Sequence, residues 1–353
     1  MNPRFHTYAE ILSQPETWAE ALEATERNRA RLEKLLESRC EQVLFIGCGS
    51  TYYLSLSAAA LFQQATGRIA RAVPSSELWL NRAAVLTDGP TLLVAVSRSG
   101  STTETVYAVE QFKKQQHGPV VGITVYGDSP LANLADLALV VEKGQERSVV
   151  QTRSFTGMYV AATALSLIAG GREDILQSMR RLPEIGARLM REYEALAQEL
   201  GEDLRFDRFY FLGSGARYGL ACEASLKLKE MSLSHSEPFH FLEFRHGPMS
   251  MVNPQTMLVA LLSERHRGYE QAVLEEMQER GASVLSLGED GARVAFTSGI
   301  PEEGYGVLYL PVLQLMAYHR AVAKGLNPDH PHNLTAVVTL DLSRVSIERD
   351  LEG

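Results

Sequence analysis

One feature constrains this chain more than any other: it resembles itself. Phe45-Ile46-Gly47-Cys48-Gly49-Ser50-Thr51-Tyr52 returns as Phe211-Leu212-Gly213-Ser214-Gly215-Ala216-Arg217-Tyr218, displaced by 166 positions in a sequence of 353. The same displacement carries Leu92-Leu93-Val94-Ala95-Val96-Ser97 onto Leu258-Val259-Ala260-Leu261-Leu262-Ser263. Two matches at one offset, close to half the length, predict a duplicated folding unit. In the first copy, short apolar runs at 43–46, 92–96, 120–124 and 137–141 alternate with longer helix-compatible stretches. The second copy keeps the rhythm with runs at 209–212, 257–262, 283–287 and 307–310. Short strands alternating with helices predict an α/β protein, each copy a parallel sheet with helices on both faces.

The length suits two globular units. Residues 8–36 read as helices broken at Pro15, and 173–204 as a charged helical connection interrupted by Pro183. The boundary is therefore expected near 182–184, dividing the chain into 1–183 and 184–353, with a polar, fraying tail after Leu342. A net charge of −9 argues against nucleic acid or an anionic membrane as the main partner. No apolar run of membrane-spanning length occurs, and Met1-Asn2-Pro3-Arg4 lacks the apolar stretch of a signal peptide. Cys40, Cys48 and Cys222 are too few and scattered for a disulfide framework or a cysteine-based zinc site, so a reducing cytoplasm is expected.

Gly47-x-Gly49 and Gly213-x-Gly215 each follow an apolar run, where glycine permits a tight strand-to-helix turn that exposes N–H groups to an anion. A dinucleotide fingerprint needs a third glycine, and Tyr52 and Tyr218 stand in its place. The sharper signal is Ser97-Arg98-Ser99-Gly100-Ser101-Thr102-Thr103-Glu104-Thr105, at the end of the second run. Capping a helix needs one hydroxyl; this cluster of hydroxyls opening a helix suits the oxygens of a phosphate. The second copy offers a contrast, since Ser263-Glu264-Arg265-His266-Arg267-Gly268 has lost the cluster. One copy holds a phosphate on this reading, and the other is free for a different task.

Residues 220–233 read as a helix that puts Glu223, Lys227 and Glu230 on one face. Spacing alone allows two readings: a surface salt-bridge stripe, or a lysine that orients a ligand beside a carboxylate that moves protons. Three histidines and two glutamates follow, in His235-Ser-Glu237-Pro-Phe-His240-Phe-Leu-Glu243-Phe-Arg-His246-Gly247-Pro248. Their spacing matches no metal motif, so no metal is expected. His246, held on a Gly-Pro turn, suits acid–base work near neutral pH.

Together these residues resemble the sugar isomerase (SIS) domain family, and within it the isomerase half of the glutamine–fructose-6-phosphate aminotransferases. The markers are Cys48-Gly49-Ser50-Thr51, Ser97-Arg98-Ser99-Gly100-Ser101-Thr102, Glu223-Ala-Ser-Leu-Lys227-Leu-Lys-Glu230, Glu243-Phe-Arg-His246-Gly247-Pro248 and Asn333-Leu334, in order along the chain. The resemblance implies two tandem flavodoxin-like subdomains, a homodimer, and a hexose 6-phosphate site near the subunit interface. It implies that Thr51, Ser97, Arg98, Ser99 and Thr102 hold the phosphate, with Gly49, Ser50 and Glu223 in the same substrate site. Val149 and Gln151 would touch the sugar. Glu230 would carry a proton between C1 and C2, supported by Lys227, and His246 of a partner subunit would assist ring opening. One carboxylate, alternately base and acid, suffices for that chemistry, so no cofactor is expected.

Two departures narrow the expectation. The aminotransferases begin with a glutaminase domain whose nucleophile is an N-terminal cysteine; this sequence opens on the SIS region, so glutamine hydrolysis by that route is not expected. The aminotransferases also carry a lysine near the C-terminus that forms a Schiff base with the sugar, and Ala336 stands at that position. The expected activity is therefore isomerisation or deamination of an amino-substituted hexose 6-phosphate. The alternatives are a fructosamine-6-phosphate deglycase and, from another class, a sugar-phosphate sensor without turnover.

Overall fold

The structure, a computed structural model, describes residues 5–37, 40–115 and 117–340. The first four residues and the tail after Leu342, read above for a signal peptide and for fraying, lie outside the described residues. Ten strands form two sheets. The first sheet takes β1 Gln42–Gly47, β2 Ala70–Pro74, β3 Thr91–Val96, β4 Val120–Thr124 and β5 Leu137–Val140. The second takes β6 Arg208–Leu212, β7 His235–Phe239, β8 Thr256–Leu261, β9 Ser283–Gly288 and β10 Val294–Ala295. Every pairing is parallel. The orders are β2-β1-β3-β4-β5 and β7-β6-β8-β9-β10, which is one flavodoxin-like arrangement twice. All residues of β1, β3, β4 and β8 are buried, which explains their unbroken apolar character.

Two expectations need correction. Residues 307–310, read as a strand, begin a helical stretch: a 3₁₀ turn at Gly306–Tyr309 runs into the helix Leu310–Ala323, whose first turn holds Pro311. A short run buried on every side carries no period that separates strand from helix; the fourth and fifth strands of this lobe are β9 and the two-residue β10. The second sequence match is also one residue out of step in space. Ile46 pairs with Ala95 while Leu212 pairs with Ala260, an offset of 165 for β8. Side-chain faces agree, since Leu92, Val94 and Val96 join the central core together with Met257, Val259 and Leu261. The breaks expected at Pro15 and Pro183 are present, each proline standing in the first turn of the next helix, Gln14–Arg27 and Leu182–Glu202, where its missing N–H costs nothing.

The lobes share one apolar core, crossed by the almost wholly buried helix Arg153–Ala169. The helices that follow the two glycine turns, Ser50–Thr66 and Ala216–Ser232, lie against each other across the lobe boundary. They approach so closely that a Cβ on Gly219 would fall 2.3 Å from the Tyr53 carbonyl oxygen. This contact brings the second lobe's Lys227 and Glu230 to the first lobe's loops.

Candidate active site

Strand order in the first sheet reverses between β1 and β3, and the loops leaving these strands part at their carboxyl ends. The loop after β1 turns on Gly49, at φ 57° and ψ −124°, backbone angles that glycine alone adopts readily. Gly47 is equally constrained, because a Cβ there would meet the Thr51 carbonyl carbon at 2.4 Å. Thr51 Oγ1 accepts the Cys48 N–H at 2.9 Å and donates to the Cys48 carbonyl at 3.0 Å. Its hydroxyl locks the turn.

The loop after β3 is organised by its own hydroxyls. Ser97 Oγ accepts the Gly100 N–H at 3.2 Å and lies 3.2 Å from Thr102 Oγ1. Ser99 Oγ accepts the Ser101 N–H at 3.2 Å. Among the described residues, the N–H groups of Arg98 and Ser99 have no hydrogen-bond partner. The helix Thr103–Lys114 starts here with no side-chain cap, so its positive end opens onto the same space. These are the donors an anion needs.

A cavity of about 240 Å³ adjoins both loops. The first lobe lines it with Gly49, Ser50, Arg98 and Thr102, and the segment after β5 with Val149 and Gln151. The second lobe supplies Lys227 and Glu230. Lys227 is 1% exposed, and its ammonium donates to Glu230 Oε2 and, at 3.1 Å, to Ser50 Oγ. Glu223 lies beneath, fully buried, 3.4 Å from Lys227 Nζ. Burial pushes the Glu223 carboxyl up to about 8, with Lys227 opposing the rise and Glu230 adding to it. Burial works against the Lys227 charge too, yet the two carboxylates outweigh it and hold the ammonium above its ordinary range. The arrangement is a fixed ammonium beside a carboxylate that keeps some access to the cavity, Glu230 being 19% exposed.

Not every expected residue lines the cavity. Thr51 and Ser97 are buried, holding the two loops in shape. Ser99 faces an adjoining depression. The Arg98 guanidinium donates to the Val149 carbonyl at 2.8 Å and the Ala336 carbonyl at 2.6 Å, with Glu146 Oε2 3.6 Å away. It ties the segment after β5 and the C-terminal strap to the β3 loop. His246 is exposed on its turn and lies outside the cavity of its own chain. His240 stacks on Tyr218 at 4.0 Å, and His235 sits on the edge strand β7. Among the described residues no cluster of three His, Cys, Asp or Glu side chains is placed to hold a metal.

Sequence reasoning missed two groups that line the cavity. One is Thr335 and Val338, on a C-terminal strap whose Leu334 and Ala336 the resemblance marks and which only the tertiary fold brings back to the first lobe. The other is Glu104, two residues beyond Thr102 in the first turn of its helix. Glu104 Oε2 and Gln151 Oε1 are both buried acceptors without a partner. Buried acceptors are normally satisfied, and donor groups of a ligand in the cavity would do so.

A family model for the SIS domain matches residues 36–168 and 205–323, covering both sheets. The chain belongs to the SIS domain family. Among SIS relatives, the glutamine–fructose-6-phosphate aminotransferase of Thermococcus kodakarensis is 30% identical over 352 residues, covering 94% of this chain and 57% of that protein. The corresponding enzyme of Pseudomonas aeruginosa is 30% identical over 87% of this chain and 53% of its own length. This chain thus spans little more than half of the curated relatives it matches. Among solved SIS structures, the glucosamine-6-phosphate deaminase of Thermotoga maritima is 29% identical, with a TM-score of 0.78 over 95% of this chain and all of that one. The tagatose-6-phosphate ketose/aldose isomerase of Escherichia coli shares the fold, with a TM-score of 0.83 at 24% identity over 92% of this chain and 95% of that one. No helix among the described residues is long and apolar enough to cross a membrane.

Proposed function

We propose that this chain is a sugar-phosphate isomerase or deaminase acting on an amino-substituted hexose 6-phosphate. The observation that carries the reading is the meeting of Lys227 and Glu230, from the second lobe, with the hydroxyl loop of the first in one cavity. The phosphate would lie against Thr102, the free N–H groups of Arg98 and Ser99 and the helix end, in a loop shaped by Ser97 and Thr51. The sugar would extend past Val149 and Gln151 toward Glu230. That geometry fixes which carbons meet the carboxylate.

In the open-chain aldose, Glu230 takes the proton from C2, giving an enolamine, and returns a proton to C1. The resulting C2 imine is hydrolysed by water to the ketose and ammonia. Lys227 offsets the negative charge that builds on the enolic oxygen and holds Glu230 in place. His246 enters from a second copy of the chain in this scheme, assisting ring opening. The likeness to a glucosamine-6-phosphate deaminase over the whole of that chain supports the direction toward ammonia.

A second reading, deglycation of fructosamine 6-phosphates, is favoured by Ala336 on the cavity wall, which leaves space for a substituent on the amine. Assay of 6-phosphorylated amino sugars and fructosamines separates the two, by release of ammonia or of a larger amine. Binding of these compounds with no turnover, and no difference between wild type and Glu230→Gln, would reject both and leave a sensor.

A further inference from the structure

The second lobe has a cavity in the corresponding place, and its contents differ. It also measures about 240 Å³, and it opens between the turn after β6 and the loop after β8. The two glycine turns match closely, Gly215 taking φ 60° and ψ −133° beside the 57° and −124° of Gly49. The helices they start therefore correspond at an offset of 166, which sets Leu61 against Lys227 and Gln64 against Glu230. Leu61 and Gln64 indeed line the second cavity. The ammonium and the carboxylate that arm the first site are absent here.

The anion cradle, by contrast, is kept. Ser263 Oγ accepts the His266 N–H at 3.2 Å, the bond that Ser97 makes with Gly100 in the first lobe. Around it converge the N–H groups of Glu264 and Arg265 and the buried guanidinium of Arg217. A carboxylate already fills this cradle. Glu302 Oε1 and Oε2 accept from Ser263 Oγ at 2.9 and 3.1 Å. Glu302 Oε2 also accepts the Glu264 N–H at 3.2 Å and the Arg265 N–H at 3.4 Å, and Glu302 Oε1 pairs with Arg217. These backbone donors follow β8 as the unpartnered N–H groups of Arg98 and Ser99 follow β3.

We propose that this cradle is a second phosphate-type anion site, held shut by the protein's own Glu302. The side chain acts as an intramolecular ligand, so the second lobe keeps the donors and excludes phosphomonoesters. A group with two or three acceptor oxygens and negative charge fits these donors once the carboxylate is gone.

Equilibrium dialysis of the full chain with labelled inorganic phosphate tests this. Glu302→Ala is expected to bind one more phosphate per chain than wild type, whatever number wild type binds, so the outcome is independent of the function proposed above. Glu303→Ala removes the same charge from the wall of the same cavity, where it faces the Arg265 side chain and Gln64, but frees none of the donors that Glu302 occupies and is expected to gain none. If Glu302→Ala folds only when phosphate is present, and not with chloride at equal ionic strength, the proposal stands. A folded Glu302→Ala with wild-type stoichiometry, an equal gain in Glu303→Ala, or an unfolded Glu302→Ala that phosphate does not restore would each overturn it.

Discussion

The Lys227 ammonium, carried by the second lobe, donates a 3.1 Å hydrogen bond to the Ser50 hydroxyl at the first lobe's glycine turn. This bond joins the Lys227–Glu230 pair to the first lobe's side of the cavity. Replacing Lys227 by Met removes the charge that pairs with Glu230 beside the buried Glu223 carboxyl while keeping most of the volume. The variant is expected to lose about 3 kcal/mol of stability, the usual cost of removing one partner of a buried ion pair. Turnover should fall at least about a hundredfold. Chemical denaturation and steady-state kinetics measure the two effects separately.

Thr102 is the hydroxyl of the β3 loop that lines the cavity. Thr102→Ala should raise KM by about tenfold, the worth of one hydrogen bond to a charged group, with kcat changed much less. Inhibition by inorganic phosphate should weaken in parallel. A loss confined to kcat would place the phosphate elsewhere.

Glu223 gives a pH signature. Its carboxyl is pushed from 4.5 up to about 8 by burial, so in that interval the folded chain holds a proton that the unfolded chain has released. Stability contributed by this group is complete below the lower value and is lost as pH rises through the upper one. Glu223→Gln has no such titration, so its melting temperature relative to wild type should rise between about pH 5 and about pH 9. A relative fall would mean that the buried carboxylate is ionised in the fold.

Gly219 sets the spacing of the two facing helices. A Cβ there would lie 2.3 Å from Tyr53 O and 2.6 Å from Ser57 Oγ. Gly219→Ala should cost about 2 kcal/mol through overpacking, and activity should drop with it as Lys227 and Ser50 part. Thermal unfolding and turnover of the single variant check both.

The architecture was legible where burial is complete. Strands β1, β3 and β4 announce themselves because every residue is inside. The edge strands β2 and β7 do not: β2 is half-buried throughout and ends at Pro74, and β7, His-Ser-Glu-Pro-Phe, reads as a polar loop. The run Leu-Leu-Val-Ala-Val, apolar on both faces, also hid a one-residue slip that only pairing exposes. At the site, helical spacing put Glu223, Lys227 and Glu230 on one face, but not which carboxylate would be sealed in and which would reach the cavity. The resemblance implied Arg98 as a phosphate ligand, whereas its guanidinium donors reach Val149 and Ala336, 51 and 238 residues along the chain. Contacts that distant leave no local pattern to read.

The central claim is that the first lobe grips a phosphate while the second presents Glu230 to C1 and C2. A crystal structure with a bound hexose 6-phosphate measures this directly. The account predicts the phosphate at the 97–102 loop and both carbons within about 3.5 Å of the Glu230 carboxylate. An empty loop at saturating ligand, or a phosphate seated there with the sugar directed away from Glu230, would contradict it.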